Sequence, residues 1–347
     1  MLQTMSMIFP RSRDNGNAGL DCWQLVGIVA MIAGLVLPGC ASTPRTPANV
    51  VLRDAHNSGY VLAFDRASKT LASGGSEGRI RLWSLPAARE ISGWMAHSGT
   101  LQGLQFISQD REIVSAGYDG VLARWTRDGA LLANMKTSAP VTDMAIDEAD
   151  ALVLTGHSDG HVRLWRLTDF SPVLDLPLHH GAVRAVAYNP STRQLASSGT
   201  DGRVYHWPLS GSPRALPSPP TDAQALAFSP DGNFLMGGGW FNLFRWRLSD
   251  ESLTVLPTEH HGIVKSISFD SDGRRLASIG RQTDSAVNIL DAQTGVVLKR
   301  FQPHELCGAV VRLSSDGHYL ASTSDDASVY LWDLQHLLPE QSYFSEK

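Results

Sequence analysis

QLASSGTDGRVYHW, residues 194–207, decides the fold, because near copies of it recur along the chain. LASGGSEGRIRLW (71–83), IVSAGYDGVLARW (113–125), LVLTGHSDGHVRLW (152–165) and YLASTSDDASVYLW (319–332) repeat its plan. Two further copies are degraded, FLMGGGWFNLFRW (234–246) and RLASIGRQTDSAVNIL (275–290). The copies end on Trp83, Trp125, Trp165, Trp207, Trp246, Leu290 and Trp332, which sets a period of about 42 residues.

Each copy reads as strands. An apolar segment, a turn glycine and an alternating segment ending on Trp form a hairpin. An alternating segment such as 183–188 precedes it as an innermost strand. Turns at SPDG (229–232), DSDG (270–273) and SSDG (314–317) join the two. A variable polar stretch supplies a fourth strand. One four-stranded unit cannot bury both faces, so neighbours must stack on it, and closing the stack into a ring removes exposed sheet edges. The sequence therefore predicts an all-β, seven-bladed β-propeller of four-stranded antiparallel blades over 49–333. ANVVLRDA (48–55) precedes His56 as EISGWMA precedes His97. Residues 49–54 are thus expected to be the missing fourth strand of the last blade, pairing near 329–333, with 334–347 a tail.

This pattern resembles the WD-repeat family, over roughly 49–333. The resemblance implies a polar network of His, Ser or Thr, Asp and Trp in a blade. His97, Ser115, Asp119 and Trp125 match it, as do His180, Ser197, Asp201 and Trp207, and His304, Ser322, Asp326 and Trp332. The other four blades depart from it. Glu77 stands for Asp in the first, no His precedes the third at Ala139-Pro140, the fifth keeps only Trp246, and the sixth has an insertion and Leu290. A Ser, His and Asp together suggest a nucleophilic triad, but a set copied at fixed offsets beside a Trp reads as structure. No enzyme is expected, nor any cofactor. The family also implies a docking face at the channel mouth, which would place Tyr60, Gln102, Thr142, Arg184, Gln224, Lys265 and Ala309 there. Tyr118, Thr200 and Trp240 would join them from the turns between second and third strands. This set is mixed in polarity and suits a protein or peptide partner.

Trp240 and Phe241 occupy the fifth blade's turn, where other blades place Asp or Glu, and are either binding anchors or residues packed beneath the Pro-rich connection PLSGSPRALPSPPT (208–221). Three histidine groupings deserve a metal reading: His179-His180, His260-His261, and His157 with His161. One member of each doublet fits the polar network and the other would face the mouth; turn polarity explains the third grouping equally well. A metal would need at least three converging ligands, and no metal site is expected.

A net charge of -5 gives no basic footprint for nucleic acid. Cys22, Cys40 and Cys307 form no CxxC pair, and Cys307 reads as a small buried hydrophobe. Residues 23–37 form an uncharged apolar run, too short to span a bilayer and suited to a signal-peptide core. It leads into Leu37-Pro38-Gly39-Cys40, which resembles the bacterial lipoprotein box, with Pro38 a departure from the usual small residue. That resemblance implies a signal peptide over 1–39, a lipidated Cys40, and a tether over 40–48. It implies a periplasm-facing envelope protein, with Ala41 pointing to the outer membrane. The expected product is a monomeric, non-enzymatic scaffold for one or more proteins. A ligand- or metal-binding propeller is the alternative, as is a cytoplasmic scaffold if the N-terminus is misread.

Overall fold

In a computed structural model, the described residues are 47–335 and Leu337. The signal peptide, Cys40, most of the tether and most of the expected tail lie outside them. The described chain is built from 28 strands in seven four-stranded antiparallel sheets, with no helix. The innermost strands are β2 (Gly59–Phe64), β6 (Leu101–Ile107), β10 (Val141–Asp147), β14 (Val183–Asn189), β18 (Ala225–Phe228), β22 (Ile263–Phe269) and β26 (Gly308–Leu313). Each contacts the next, and β26 returns to contact β2, so the sheets close into a seven-bladed propeller.

The core follows from the ring. Seven apolar clusters exist, each formed between two successive blades. In one, Ile80 and Leu82 of the first blade meet Phe106 and Ile113 of the second. In another, Leu62 and Leu71 of the first meet Val329 and Leu331 of the seventh. Every blade therefore uses both faces. A continuous wall of buried side chains results, and most of its stabilisation comes from apolar area removed from water between blades.

The seam is closed as the sequence predicts, by a shorter strand. β1 (Val50–Leu52) adds antiparallel to β28 (Val329–Asp333), with Val50 opposite Leu331 and Leu52 opposite Val329. The Asp333 amide donates to Asn49 Oδ1 at 2.7 Å, and the Ala55 amide to the Ala327 carbonyl at 2.9 Å. The first and last strands of the described propeller are thereby held in one sheet.

Candidate functional site

The inner strands carry a local irregularity that organises the channel mouth. Six of them shift register by one residue near their start, where two residues oppose one on the neighbouring strand. The extra residues are Tyr60, Gln102, Thr142, Arg184, Lys265 and Ala309. A β-bulge releases one residue from the alternation and re-aims its side chain. Blade five has no such shift, and Gln224 takes the equivalent place just before β18, its amide donating to the Gly238 carbonyl at 2.7 Å. All seven residues line one cavity of about 360 Å³ at the head of the central channel. Periodicity does not reveal the bulges, although it does locate the strand starts.

On the same side stand the turns between second and third strands. Tyr118 and Phe241 are 51% and 50% exposed, large apolar groups presented to solvent. Thr200 is exposed as well. Trp240 is half-buried: its amide donates to Thr221 Oγ1 at 3.2 Å, and its ring lies 5.7 Å from that of Phe241. Trp240 is thus tied to the end of the Pro-rich connection through its backbone, while Phe241 presents its ring to solvent.

That connection also supplies what blade five lacks. Gly237 stands where other blades place Ser or Thr, and Trp246 donates its indole proton to the Pro217 carbonyl at 2.9 Å. Leu216 packs in the cluster that holds Phe244 and Trp246.

The polar network is more widespread than the expected three blades. In blade two, His97 Nδ1–H donates to Asp119 at 3.0 Å, Ser115 donates to His97 Nε2 at 2.7 Å, and Trp125 donates to Ser115 Oγ at 2.9 Å. Burial alone would raise the Asp119 carboxyl, but the His97 hydrogen bond and charge outweigh it and bring it down to about 2. Blade one makes the same circuit with His56, Ser73, Trp83 and Glu77 in the carboxylate role. In blade six His260 joins Asp284 and Ser278, both at 2.9 Å, over the buried Leu290. In blade seven His304 joins Asp326 at 3.0 Å and Ser322 at 2.8 Å.

Blade four corrects one assignment. The network histidine is His179, not His180: His179 Nδ1 lies 3.0 Å from Asp201 and Nε2 2.9 Å from Ser197. His180 is exposed and contributes only its backbone amide to Asp201. The separation carries the reason. His97 and His304 each lie 22 residues before their aspartate, and so does His179. Among the described residues the indoles of Trp207 and Trp332 have no hydrogen-bond partner, so the circuit lacks its Trp leg in blades four and seven. Blade three draws its imidazole from the second strand: His157 accepts from Thr155 at 2.8 Å and donates to the Ala139 carbonyl at 3.1 Å, while Trp165 donates to Thr155.

These bonds bear on the metal readings. Both ring nitrogens of His157, His179 and His260 already have partners, and His161 Nδ1 lies 2.5 Å from Asp175. Among the described residues no three His, Cys, Asp or Glu side chains converge as a ligand set. Cys307 is half-exposed rather than buried, with Sγ 3.9 Å from the Gln282 carbonyl.

Comparison with known proteins agrees with the architecture. Residues 49–84, 129–166, 170–208 and 295–333 match the family described as WD domain, G-beta repeat, which supports a WD-repeat propeller. Striatin-4 of Homo sapiens is 24% identical over 275 residues, covering 70% of this chain and 36% of that protein. Pre-mRNA-processing factor 19 homolog 2 of Arabidopsis thaliana is 28% identical over 248 residues, covering 66% and 46%. Autophagy-related protein 16 of the same plant is 25% identical over 248 residues, covering 69% and 48%. The chain spans less than half the length of each.

Proposed function

We propose that this propeller is a non-enzymatic protein-interaction scaffold whose docking surface is the face holding the channel mouth. WD-repeat propellers typically serve as such scaffolds. The observation that carries the reading here is the set of bulges: they turn unlike side chains, Tyr60, Gln102, Arg184 and Lys265 among them, onto one rigid rim beside exposed Tyr118 and Phe241. Large aromatics and arginine at a surface are the residue types that dominate binding energy in interfaces. The recurrent His–Ser–Asp sets are tied into the blades by hydrogen bonds, as a structural network would be.

The scaffold is a monomer held to the bacterial envelope by lipid on Cys40, facing the periplasm and favouring the outer membrane. The support is sequence alone: the apolar run, the Leu37–Cys40 box and the Pro- and Thr-rich stretch after it. Several acyl chains on one residue anchor stably, whereas a single chain does so only marginally.

Two experiments test these statements. Affinity capture with the protein should enrich one or more proteins, and an Arg184→Ala, Phe241→Asn double variant should lose them; Asn tolerates the positive φ of 61° at position 241. No enrichment, or equal capture by the variant, refutes the docking face. Radioactive fatty acid should label the wild type and not Cys40→Ser, and an unlabelled wild type removes the anchor.

A further inference from the structure

The cavity at the channel head is lined by four cations, Arg184, Lys265, Arg281 and Arg312, and one carboxylate, Asp143. Two of the cations are satisfied: Arg184 pairs with Asp222 at 3.2 Å, and Arg281 with Asp325 at 2.8 Å. Among the described residues Lys265 and Arg312 have no direct carboxylate partner. Arg312 donates one nitrogen to Ser266 Oγ and the Val311 carbonyl, at 3.1 and 2.9 Å. Asp143 is the nearby countercharge, but backbone amides claim both its oxygens, Met144 at 2.9 Å and Val186 at 2.8 Å.

The cavity wall is therefore short of negative charge. Desolvation pulls the Lys265 amine and the Arg312 guanidinium below their usual ranges, with only Asp143 and Asp222 opposing this for Lys265 and Asp143 for Arg312. Arg184 and Arg281 push the Lys265 amine in the same direction as burial. Like charges around one cavity repel, as Arg184 and Arg281 do with Lys265, and a bound counterion relieves that repulsion.

We propose that the mouth of the central channel binds a small oxyanion, a phosphate or carboxylate group, through Lys265 and Arg312. An Arg and a Lys facing one anion combine a planar fork with a mobile point charge, a pairing suited to either group. The cavity of about 360 Å³ is roomy enough for phosphate or a small dicarboxylate with its waters. This site does not depend on the docking reading: the titration reads anion binding by the free protein, whether or not a protein also docks on this face.

The test is a titration of the protein, purified as the cell processes it, with inorganic phosphate in one arm and malonate in the other. Calorimetry and thermal melts are read together in a low-chloride buffer. Saturable binding with a rise in melting temperature is expected in at least one arm, and the arm that responds names the group. Lys265→Met should weaken that binding at least tenfold and, without ligand, melt no lower than the wild type, because it removes an unpaired charge. Arg312→Met should also lose the binding, and because Arg312 has protein partners its ligand-free melting temperature is a separate readout. No saturable binding in either arm overturns the proposal. So does undiminished binding by Lys265→Met, or a Lys265→Met protein that is destabilised while binding remains intact.

Discussion

Replacing one serine in two different blades separates the parts of the polar network. In blade two, Ser115 Oγ serves two buried groups, accepting from Trp125 at 2.9 Å and donating to His97 Nε2 at 2.7 Å. Ser115→Ala leaves both without a partner. In blade four, Ser197 serves only His179, at 2.9 Å, because the Trp207 indole is already unpartnered. Both serines are fully buried, so water cannot easily replace the hydroxyl. A buried polar group left unsatisfied costs about 1–3 kcal/mol. Ser115→Ala is then expected to cost about 2–6 kcal/mol and Ser197→Ala about half as much, 1–3 kcal/mol, the alanine methyl being equally well packed in each. The assay is urea denaturation of the wild type and both variants, read only if all three share one slope, since a repeat ring does not guarantee two-state unfolding. Equal losses, within about 0.5 kcal/mol, or a larger loss for Ser197→Ala, would refute the reasoning, because both substitutions remove the same atom.

Acid should act through His157. Burial, ahead of the opposing hydrogen bond to the Ala139 carbonyl, lowers its pKa from 6.5 to about 4. The unfolded chain then binds the proton more readily than the folded one, so this stabilisation is whole above about pH 6.5 and is lost as the pH falls towards 4, by at most ~3 kcal/mol. Denaturation at several pH values should show His157→Gln with a shallower fall over that window than the wild type; parallel curves would contradict it. Two turn glycines make a second paired prediction. Gly160 and Gly202 both hold positive φ, 84° and 74°, but a Cβ at Gly160 would strike the His179 carbonyl while one at Gly202 meets nothing within 4 Å. Gly202→Ala should cost about 1 kcal/mol of backbone strain, and Gly160→Ala clearly more, by thermal melts; equal shifts would contradict the clash.

The ring was legible because a buried Trp at a period of about 42 residues leaves a mark that survives degradation of the rest. Leu290, fully buried in the Trp position, shows that the site needs apolar volume more than an indole. The seam strand was legible from the match of 48–55 to the approach to His97. Other features depend on backbone geometry that no residue pattern encodes. The bulges that aim Tyr60 and Lys265 into the mouth lack a residue signature, since the extra residue is Tyr, Gln, Thr, Arg, Lys or Ala. Blade three replaces a loop histidine with His157 from a strand, and blade five replaces a serine with the Pro217 carbonyl; each solves one buried donor problem from a different part of the chain. The choice of His179 over His180 was recoverable from the 22-residue separation. Lys265 and Arg312 became neighbours of Asp143 only through closure, which brings blades three, six and seven around one channel.

The central claim is that one face, the one bearing the bulged rim and the turns of Tyr118 and Phe241, receives a protein. Site-specific photocrosslinking in intact cells tests it most directly. A photoreactive residue at Gln102 or Phe241 samples the mouth face, and one at Ser191, in the turn between the first and second strands of blade four, samples the opposite one. A discrete adduct with the same polypeptide is expected from positions 102 and 241 and none from 191. Adducts from 191 alone, equal adducts from both faces, or none from either mouth position would contradict it.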